Sequence, residues 1–253
     1  MRLKLMMETI ISMTSYISLI LPGLILIVLF FILIKPDSNL RIVIYIFSFV
    51  LLRDAMTPAG LWTLGKTDNL LWIRLSRDPL FLVLFGLFSL IIIAALFFFD
   101  RENRKYLIWF KNSKIYGMLN GFIGTLIIVL PFFLLYKNID INLRGDIVNP
   151  GLIVPMLIFA IFGNFFEEGL FRGYVLGFLK QRQTPLAAGI NSGVIFAFCH
   201  IYLAVTVTDI GLPLLLFTLW EGIIAGLIGT KYGIIPSTIA HGGAIFLLSS
   251  GLM

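Results

Sequence analysis

Residues 150–180 read PGLIVPMLIFAIFGNFFEEGLFRGYVLGFLK, an apolar run that holds two adjacent carboxylates and one arginine. A helix that crosses a lipid bilayer needs about 20 consecutive, mostly apolar residues, and this run supplies them. If the helix covers about residues 155–180, Glu167 lies roughly 18–20 Å from each end, because each residue adds about 1.5 Å. The stretch therefore predicts a membrane-spanning helix with a carboxylate near its middle.

The same composition extends over the whole chain. Of its 253 residues, 59% are hydrophobic and 13% are charged, whereas a soluble domain has about 45–50% and about 25%. Further runs that could span a bilayer are 9–34, 79–99, 117–136, 184–208, 210–230 and 232–253. An eighth candidate, 42–52, is short and leads into Arg53 and Asp54. We therefore predict an all-α, multi-pass transmembrane helix bundle of seven or eight spans, which excludes a soluble protein.

The formal charge of +6 lies mainly in the connections between these runs. The basic connections are 100–114, 180–182 and Lys231, and basic loops stay on the cytoplasmic side of a membrane. With seven spans the N-terminus, which has Arg2 and Lys4, would share that side, and with eight spans it would lie opposite. We expect the three connections to be cytoplasmic, and we interpret the charge as a signal of topology rather than of nucleic-acid binding.

The charged segment 100–114 divides the chain into an N-terminal part, residues 1–114, and a second part, residues 115–253. Only the second part has ionisable residues deep in clear spans. An ionisable side chain at the bilayer centre costs about 2.5–3.5 kcal/mol on insertion scales, so such a residue is a candidate for function. Glycines also recur every four residues in this part, and small residues at that spacing let membrane helices pack closely. We therefore place function after about residue 115.

His200 and His241 are the only histidines of the chain, and both fall near the depth of Glu167 in their predicted helices. A carboxylate and two imidazoles can activate a water molecule for attack on a peptide bond. The same three side chains could instead bind Zn²⁺, with water completing the coordination. Both chemistries are open on the residues alone.

Two carboxylates and an arginine form the pattern EExxxR at Glu167, Glu168 and Arg172. Glu168 and Arg172 are four residues apart and can form an ion pair on one helix face. Glu167 points about 100° away from Glu168 around the helix axis, so it is left free for other chemistry. In a later run Phe196 precedes His200 by about one helical turn, as FxxxH.

The order EExxxR, FxxxH and a final histidine after a glycine-rich stretch resembles the CPBP family (CAAX protease and bacteriocin processing, also called Abi). That family includes the type II CAAX prenyl endopeptidases, and the resemblance covers roughly residues 115–253. It implies a helical bundle with a catalytic cavity, open to the cytoplasm, and an intramembrane endopeptidase. The expected partners are the lipid bilayer and a membrane-proximal peptide or protein substrate, and the expected location is a cell membrane, the cytoplasmic membrane of a bacterium.

By the same resemblance, Glu167 and His200 activate the attacking water, and His241 helps to hold the oxyanion. The residues that the resemblance implies for the site are Glu167, Glu168, His200 and His241 as catalytic residues, with Arg172 and Phe196 in support. The resemblance is compatible with a metalloprotease, in which Glu167, His200 and His241 would bind Zn²⁺. It is equally compatible with a metal-free glutamate protease.

One position departs from the family pattern. The last motif usually reads HxxxN or HxxxD, but Ile245 stands four residues after His241 and cannot donate a hydrogen bond. Loss of one oxyanion donor costs about 10²–10³ in rate in a well-studied protease. Asn164 and Asn191 are candidate substitutes. The alternatives to an endopeptidase are a non-catalytic membrane scaffold with this fold and, less favoured because we find no inverted repeat, a proton-coupled transporter.

Other polar residues in or beside the apolar runs have no catalytic motif. Glu221 is predicted to line the cavity, or to pair with Arg53 or with another helix. Arg53 and Asp54 are predicted to form a local ion pair at the membrane interface. Cys199 adjoins His200 but points about 100° away from it, so we interpret Cys199 as a core residue rather than as part of a catalytic dyad.

Overall fold

A computed structural model describes residues 2–68 and 70–252 of the chain. The side chains of residues 2–6 and 8 lie outside the description, and with them the predicted topology signals Arg2 and Lys4. The helices are α1 (Arg2–Ile34), α2 (Ser38–Asp54), α3 (Pro79–Phe99), α4 (Lys114–Tyr136), α5 (Ile153–Glu168), α6 (Leu176–Leu179), α7 (Pro185–Phe198), α8 (Leu212–Tyr232) and α9 (Ile234–Ser250). Two strands, β1 (Trp62–Thr67) and β2 (Leu70–Leu75), pair as one antiparallel hairpin.

Several of these helices are long and apolar enough to cross a bilayer. Within the described residues the candidate spans are Thr9–Ile34, Pro79–Phe99, Lys114–Tyr136, Pro150–Leu179, Pro185–Val207 and Leu212–Tyr232. The last helix, α9, is a shorter apolar helix. The predicted all-α, multi-pass bundle and its membrane location are thereby confirmed.

The three basic connections meet at one end of the bundle, which we call the basic end. The backbone N–H of Lys111 donates to the carbonyl of Tyr232 at 2.7 Å. The side-chain amide of Gln181 donates to the hydroxyl of Tyr106 at 2.5 Å. Because these bonds tie the first basic connection to the other two, all three lie on the same side of the membrane, as the topology prediction requires.

The β-hairpin closes the opposite end, which we call the hairpin end. The hydroxyl of Tyr136 donates to the carbonyl of Leu71 at 2.5 Å, and Arg74 Nη1 donates to the carbonyl of Leu248 at 3.1 Å. These bonds attach the hairpin to the last turns of α4 and α9. The all-helical prediction did not include this hairpin, although a polar turn between two apolar runs, as at residues 66–69, is a known hairpin signal.

The chain crosses the bundle more often than the seven-run version predicts. Thr9 in α1 hydrogen-bonds to Asp78 at the hairpin end, and Arg41 at the start of α2 pairs with Asp100 (3.5 Å) at the basic end. With 17 residues, α2 is about 25 Å long and ends inside the bundle, from where residues 55–61 continue to the hairpin, since the Ser76 N–H donates to the Leu61 carbonyl at 2.7 Å. The described chain therefore makes eight passes, α5 and α6 counting as one. This path agrees with the eight-span version of the prediction, in which the N-terminal end of α1 lies opposite the basic end.

Glycines bring α7 and α8 into close contact. Gly193 lies against the backbone of Gly222, and Gly189 lies against that of Gly226. A Cβ atom at Gly193 would come within 2.6 Å of the carbonyl carbon of Gly222, closer than side chains pack in proteins. The predicted small-residue spacing thus acts as a contact surface, and it sets the polar residues of α7 and α8 at the level of those in α5 and α9.

Candidate active site

Glu168, the second carboxylate of EExxxR, connects three elements of the bundle. Its Oε1 forms an ion pair with Arg172, 2.9 Å from Nη1, and accepts a hydrogen bond from His241 Nδ1 at 2.8 Å. Arg172 Nη2 also donates to the carbonyl of Gly222 at 2.8 Å. Arginine stays protonated in proteins, so Glu168 serves as its carboxylate partner. Because a carboxylate only accepts hydrogen bonds, Nδ1 of His241 is the ring nitrogen that carries a proton. The predicted pair therefore forms, and it also orients a histidine.

The helix that carries EExxxR changes character directly after the two carboxylates. Residues Gly169–Val175 form a π-helical turn between α5 and α6. Such turns are rare in helices and often occur at functional sites. All seven residues of the turn are buried, so this irregular backbone faces protein rather than lipid, where its polar groups can be satisfied.

His241 is held from two sides. Its Nε2 lies 3.4 Å from Oε2 of Glu221, while its Nδ1 contacts Glu168. The ring meets Phe196 edge to face, with the centroids 5.4 Å apart. The guanidinium of Arg172 lies 4.8 Å from the same Phe196 ring, within the range of a cation–π interaction. Phe196, predicted as a supporting residue, therefore contacts both His241 and Arg172.

His200 follows the last turn of α7, and its own helix fixes its tautomer. Nδ1 lies 2.8 Å from the carbonyl oxygen of Phe196. A carbonyl only accepts, so Nδ1 carries the hydrogen, and Nε2 of the neutral ring can accept a hydrogen bond. Arg53 Nη2 donates to the carbonyl of Cys199 at 2.5 Å, which holds the turn that presents His200.

Glu167 is the carboxylate of EExxxR that stays free. No other side chain among the described residues forms a hydrogen bond or an ion pair with it, and it keeps 9% of its surface accessible. Glu168, its neighbour, is fully buried against Arg172 and His241. The two adjacent carboxylates thus differ as their 100° separation on the helix predicts.

One cavity in the middle of the bundle contains the predicted site residues. Glu167, His200 and His241 line it, together with Glu221 of α8. The space open to the centres of water molecules is about 50 Å³, and one buried water needs about 10–15 Å³, so the cavity accommodates a few waters. Apolar residues of its wall are Phe49, Met56, Trp62, Leu64, Ile73, Phe159, Phe166, Leu203, Leu214, Phe217 and Ile245.

The N-terminal part of the chain supplies a share of this wall that the sequence did not indicate. Phe49 comes from α2, Met56 from the segment after it, and Trp62 and Ile73 from the two strands. Since the hairpin closes the end opposite the basic connections, the cavity extends towards the hairpin end.

The structure corrects one prediction about charged residues and confirms another. Arg53 and Asp54 do pair, at 2.7 Å, but Arg53 is fully buried, so the pair does not lie at the membrane interface. The reason is that α2 ends inside the bundle, where Arg53 also lies over the Phe49 ring. Glu221 lines the cavity and approaches His241 of another helix, as two of the predicted alternatives have it, and it does not pair with Arg53. In the sequence, the position of Glu221 within an apolar run indicated a place in the cavity, although no motif accompanies it.

The candidate substitutes for the missing donor differ in position. The amide of Asn191 donates to Gln183 at 2.9 Å on an exposed surface, away from the cavity. Asn164 lines the cavity, but its amide nitrogen donates to the carbonyl of Ala160 at 2.6 Å. Ile245 itself lines the cavity, so the position that departs from the family pattern faces the site.

The three predicted zinc ligands do not form a metal-binding set. Across residues 2–68 and 70–252, no group of three His, Cys, Asp or Glu side chains is arranged to hold an ion. A zinc site of this type needs three free donors and one water, whereas His241 has Glu168 at one ring nitrogen and Glu221 at the other.

Comparison with protein families gives a match in the second part of the chain. Residues 149–247 match the family model described as Rce1-like, type II CAAX prenyl endopeptidase Rce1-like. The matched segment contains EExxxR, FxxxH, His241 and Ile245, and it lies within the part of the chain that resembles the CPBP family. The resemblance to that family is thereby confirmed. No curated protein matches the chain, and no solved structure matches it.

Proposed function

We propose, on the premise that residues 149–247 form an Rce1-like region of the CAAX-protease family, that this protein is an intramembrane endopeptidase. Its substrate would be a membrane-proximal peptide or protein. The observation that carries the proposal is the common cavity of Glu167, His200 and His241 in the middle of a membrane bundle. Inserting several ionisable side chains at this depth of a bilayer costs free energy, so such a cluster indicates a functional site.

The first step of the proposed reaction is activation of a water molecule in the cavity. Nε2 of His200 accepts a hydrogen bond from the water, because Nδ1 already donates to the Phe196 carbonyl. Glu167 accepts the proton of the water as its oxygen attacks the peptide carbonyl carbon. Glu167 suits this role because no cation or donor among the described side chains occupies its oxygens.

The second step is stabilisation and collapse of the tetrahedral intermediate. As the carbon–oxygen bond forms, the carbonyl oxygen becomes an oxyanion, which a donor fixed in advance stabilises best. His241 is fixed by Glu168 and approached by Glu221, so its Nε2 can present a proton to that oxygen. Glu167 then passes its proton to the leaving nitrogen, the carbon–nitrogen bond breaks, and a carboxyl product and an amine product form with one water consumed.

The shape of the cavity constrains how a substrate reaches these groups. It has room for a few waters but not for a folded segment, so the scissile bond would have to enter in an extended stretch of chain. Its wall towards the hairpin end is apolar, which suits a segment that leaves the lipid phase. A prenyl group on the substrate is not required by any contact in the site.

The experiment that tests the proposal is a quantitative survey of new protein termini in membranes. We would compare wild type, Glu167→Gln and His200→Ala, with Glu102→Gln as a matched control, because Glu102 is an exposed carboxylate at the basic end. Termini that disappear in the first two variants and persist in the control, at equal protein levels, would support proteolysis and identify the substrate. Identical termini in all four proteins would refute it.

A non-catalytic membrane scaffold is the second candidate function, and Ile245 favours it. This residue lines the cavity where relatives with the usual motif have a polar side chain, so an oxyanion donor is missing. A scaffold would keep its cellular phenotype in Glu167→Gln and lose it only when the protein is absent. Loss of the phenotype in Glu167→Gln with the protein still present would exclude this alternative.

A further inference from the structure

Glu221 is a buried carboxyl group that the family pattern does not assign. It lies in the middle of α8, is 1% exposed, and lines the same cavity as Glu167, His200 and His241. Its Oε2 is 3.4 Å from Nε2 of His241. Its Oε1 is buried and has no hydrogen-bond partner among the described residues. An unpartnered polar atom at this depth is costly unless it has a use.

The charges around Glu221 indicate where protons reside. Arg172 is balanced by Glu168, and Arg53 is balanced by Asp54. No basic side chain of the described chain pairs with Glu221 apart from His241, and an uncompensated charge in a low-dielectric interior is strongly unfavourable. Glu221 and His241 are therefore expected to share one proton, either as a carboxylic acid beside an imidazole or as a carboxylate beside an imidazolium.

Either form of the pair can donate a hydrogen bond into the cavity. In the imidazolium form Nε2 of His241 holds the proton, and in the acid form the Glu221 carboxyl holds it. Ile245, which lines the same cavity, has no donor. Of the other polar lining groups, the Thr218 hydroxyl donates to Leu215 at 3.2 Å, and one N–H of the Asn164 amide donates to Ala160.

The geometry points to Glu221 as a further catalytic residue, which together with His241 provides the proton-bearing donor to the oxyanion that Ile245 cannot provide. This inference rests on the proposed endopeptidase function. No net transfer of a proton from the pair is needed, because the donor binds the oxyanion while it exists and is released when the carbonyl forms again. The departure at Ile245 is then compensated from a different helix, α8 instead of α9.

The test exchanges the donor between these two positions in the full-length protein. Wild type, Glu221→Leu, Glu221→Gln, Ile245→Asn and the double variant Glu221→Leu/Ile245→Asn are expressed in membranes, with Glu167→Gln as the inactive reference. The measured quantity is the rate at which the Glu167-dependent termini form, per amount of folded protein. Glutamine retains an N–H donor of similar length, whereas leucine removes every polar atom at nearly the same volume.

We expect Glu221→Leu to slow the formation of these termini about 10²–10³-fold. Glu221→Gln should stay within about tenfold of wild type, and Ile245→Asn in the leucine background should restore at least tenfold of the lost rate. Wild-type rates in Glu221→Leu, or a folded Glu221→Gln as inactive as Glu167→Gln, would overturn the inference. If Glu221→Leu fails to accumulate, the rate of Glu221→Gln relative to Glu167→Gln decides the question.

The same experiment separates this inference from the proposed function. If no terminus depends on Glu167 in the otherwise wild-type protein, the endopeptidase function fails, and the role of Glu221 falls with it. If Glu167-dependent termini exist but are indifferent to Glu221→Leu, only the inference about Glu221 fails. Failure of Ile245→Asn to restore any rate in a folded double variant would likewise overturn it.

Discussion

Residues 115–253 supply every ionisable side chain that lines the candidate cavity, whereas residues 1–114 supply apolar wall and one buried support. In the second part, Glu167 comes from α5, His200 from the turn after α7, and His241 from α9. In the first part, the hairpin closes one end of the cavity, and Arg53 holds the turn before His200. Sequence motifs therefore indicate which side chains of a membrane site carry candidate chemistry, whereas the wall that encloses the cavity also comes from segments without any motif.

The largest expected effect concerns the side of the membrane on which the hairpin end and the basic end lie. If the basic end is cytoplasmic, a membrane-impermeant maleimide added to whole cells should label Thr63→Cys in the hairpin and leave Lys105→Cys unlabelled. Both positions are exposed, and the background would be Cys199→Ala, because Cys199 is the only cysteine. Labelling of both positions after lysis is the control for reactivity. The reverse pattern in whole cells would place the hairpin, and the cavity it closes, on the cytoplasmic side.

The next effect tests whether the N-terminal part supports the site. Arg53→Met leaves Asp54 buried without its partner and removes the bond to the Cys199 carbonyl. Breaking a buried ion pair in this way costs about 3–5 kcal/mol, which for a chain of this size corresponds to a fall in Tm of about 6–20 °C. Thermal unfolding of the purified protein in detergent measures it.

The matched control for Arg53 is the exposed pair of Arg77 and Asp146, whose side chains are 71% and 57% accessible. Exposed ion pairs contribute about 0–1 kcal/mol, so Arg77→Met should change Tm by only a few degrees. Equal effects of the two substitutions would contradict the view that the N-terminal part has a structural role at the site. If Arg53→Met also lowered the cleavage rate per amount of folded protein, the structural role of the N-terminal part would extend to the chemistry, through the turn that presents His200.

Much of the fold and part of the site followed from the sequence, for identifiable physical reasons. Long uncharged runs can only be buried in lipid or in a large core, so the helical membrane bundle was predictable. The four-residue spacing of Glu168 and Arg172 fixed their pairing, and the offset of Glu167 followed from the helical turn. These are local regularities, which a sequence records directly.

What the sequence did not reveal depends on contacts between distant segments. The short run 42–52 looked too brief to cross, and its helix α2 ends inside the bundle, where Arg53 donates to the Cys199 carbonyl. The hairpin and its place over the cavity depend on contacts with α4 and α9. The sequence could not name the partner of Glu221, because His241 lies on another helix and no spacing rule connects them.

The smallest expected effect concerns the attachment of the hairpin to the second part of the chain. Tyr136→Phe removes the hydroxyl that donates to the Leu71 carbonyl at 2.5 Å and keeps the ring, which is packed against Phe132. One such hydrogen bond contributes about 0.5–1.5 kcal/mol, so Tm should fall by about 1–6 °C. Tyr202→Phe is the control, because Tyr202 is an exposed side chain. If the hairpin is a fixed wall of the cavity, Tyr136→Phe should lower the rate of cleavage along with Tm, because a loosened wall lets bulk water compete with the positioned water. A lower Tm with an unchanged rate would show that the hairpin stabilises the fold and that the chemistry depends on the C-terminal helices alone.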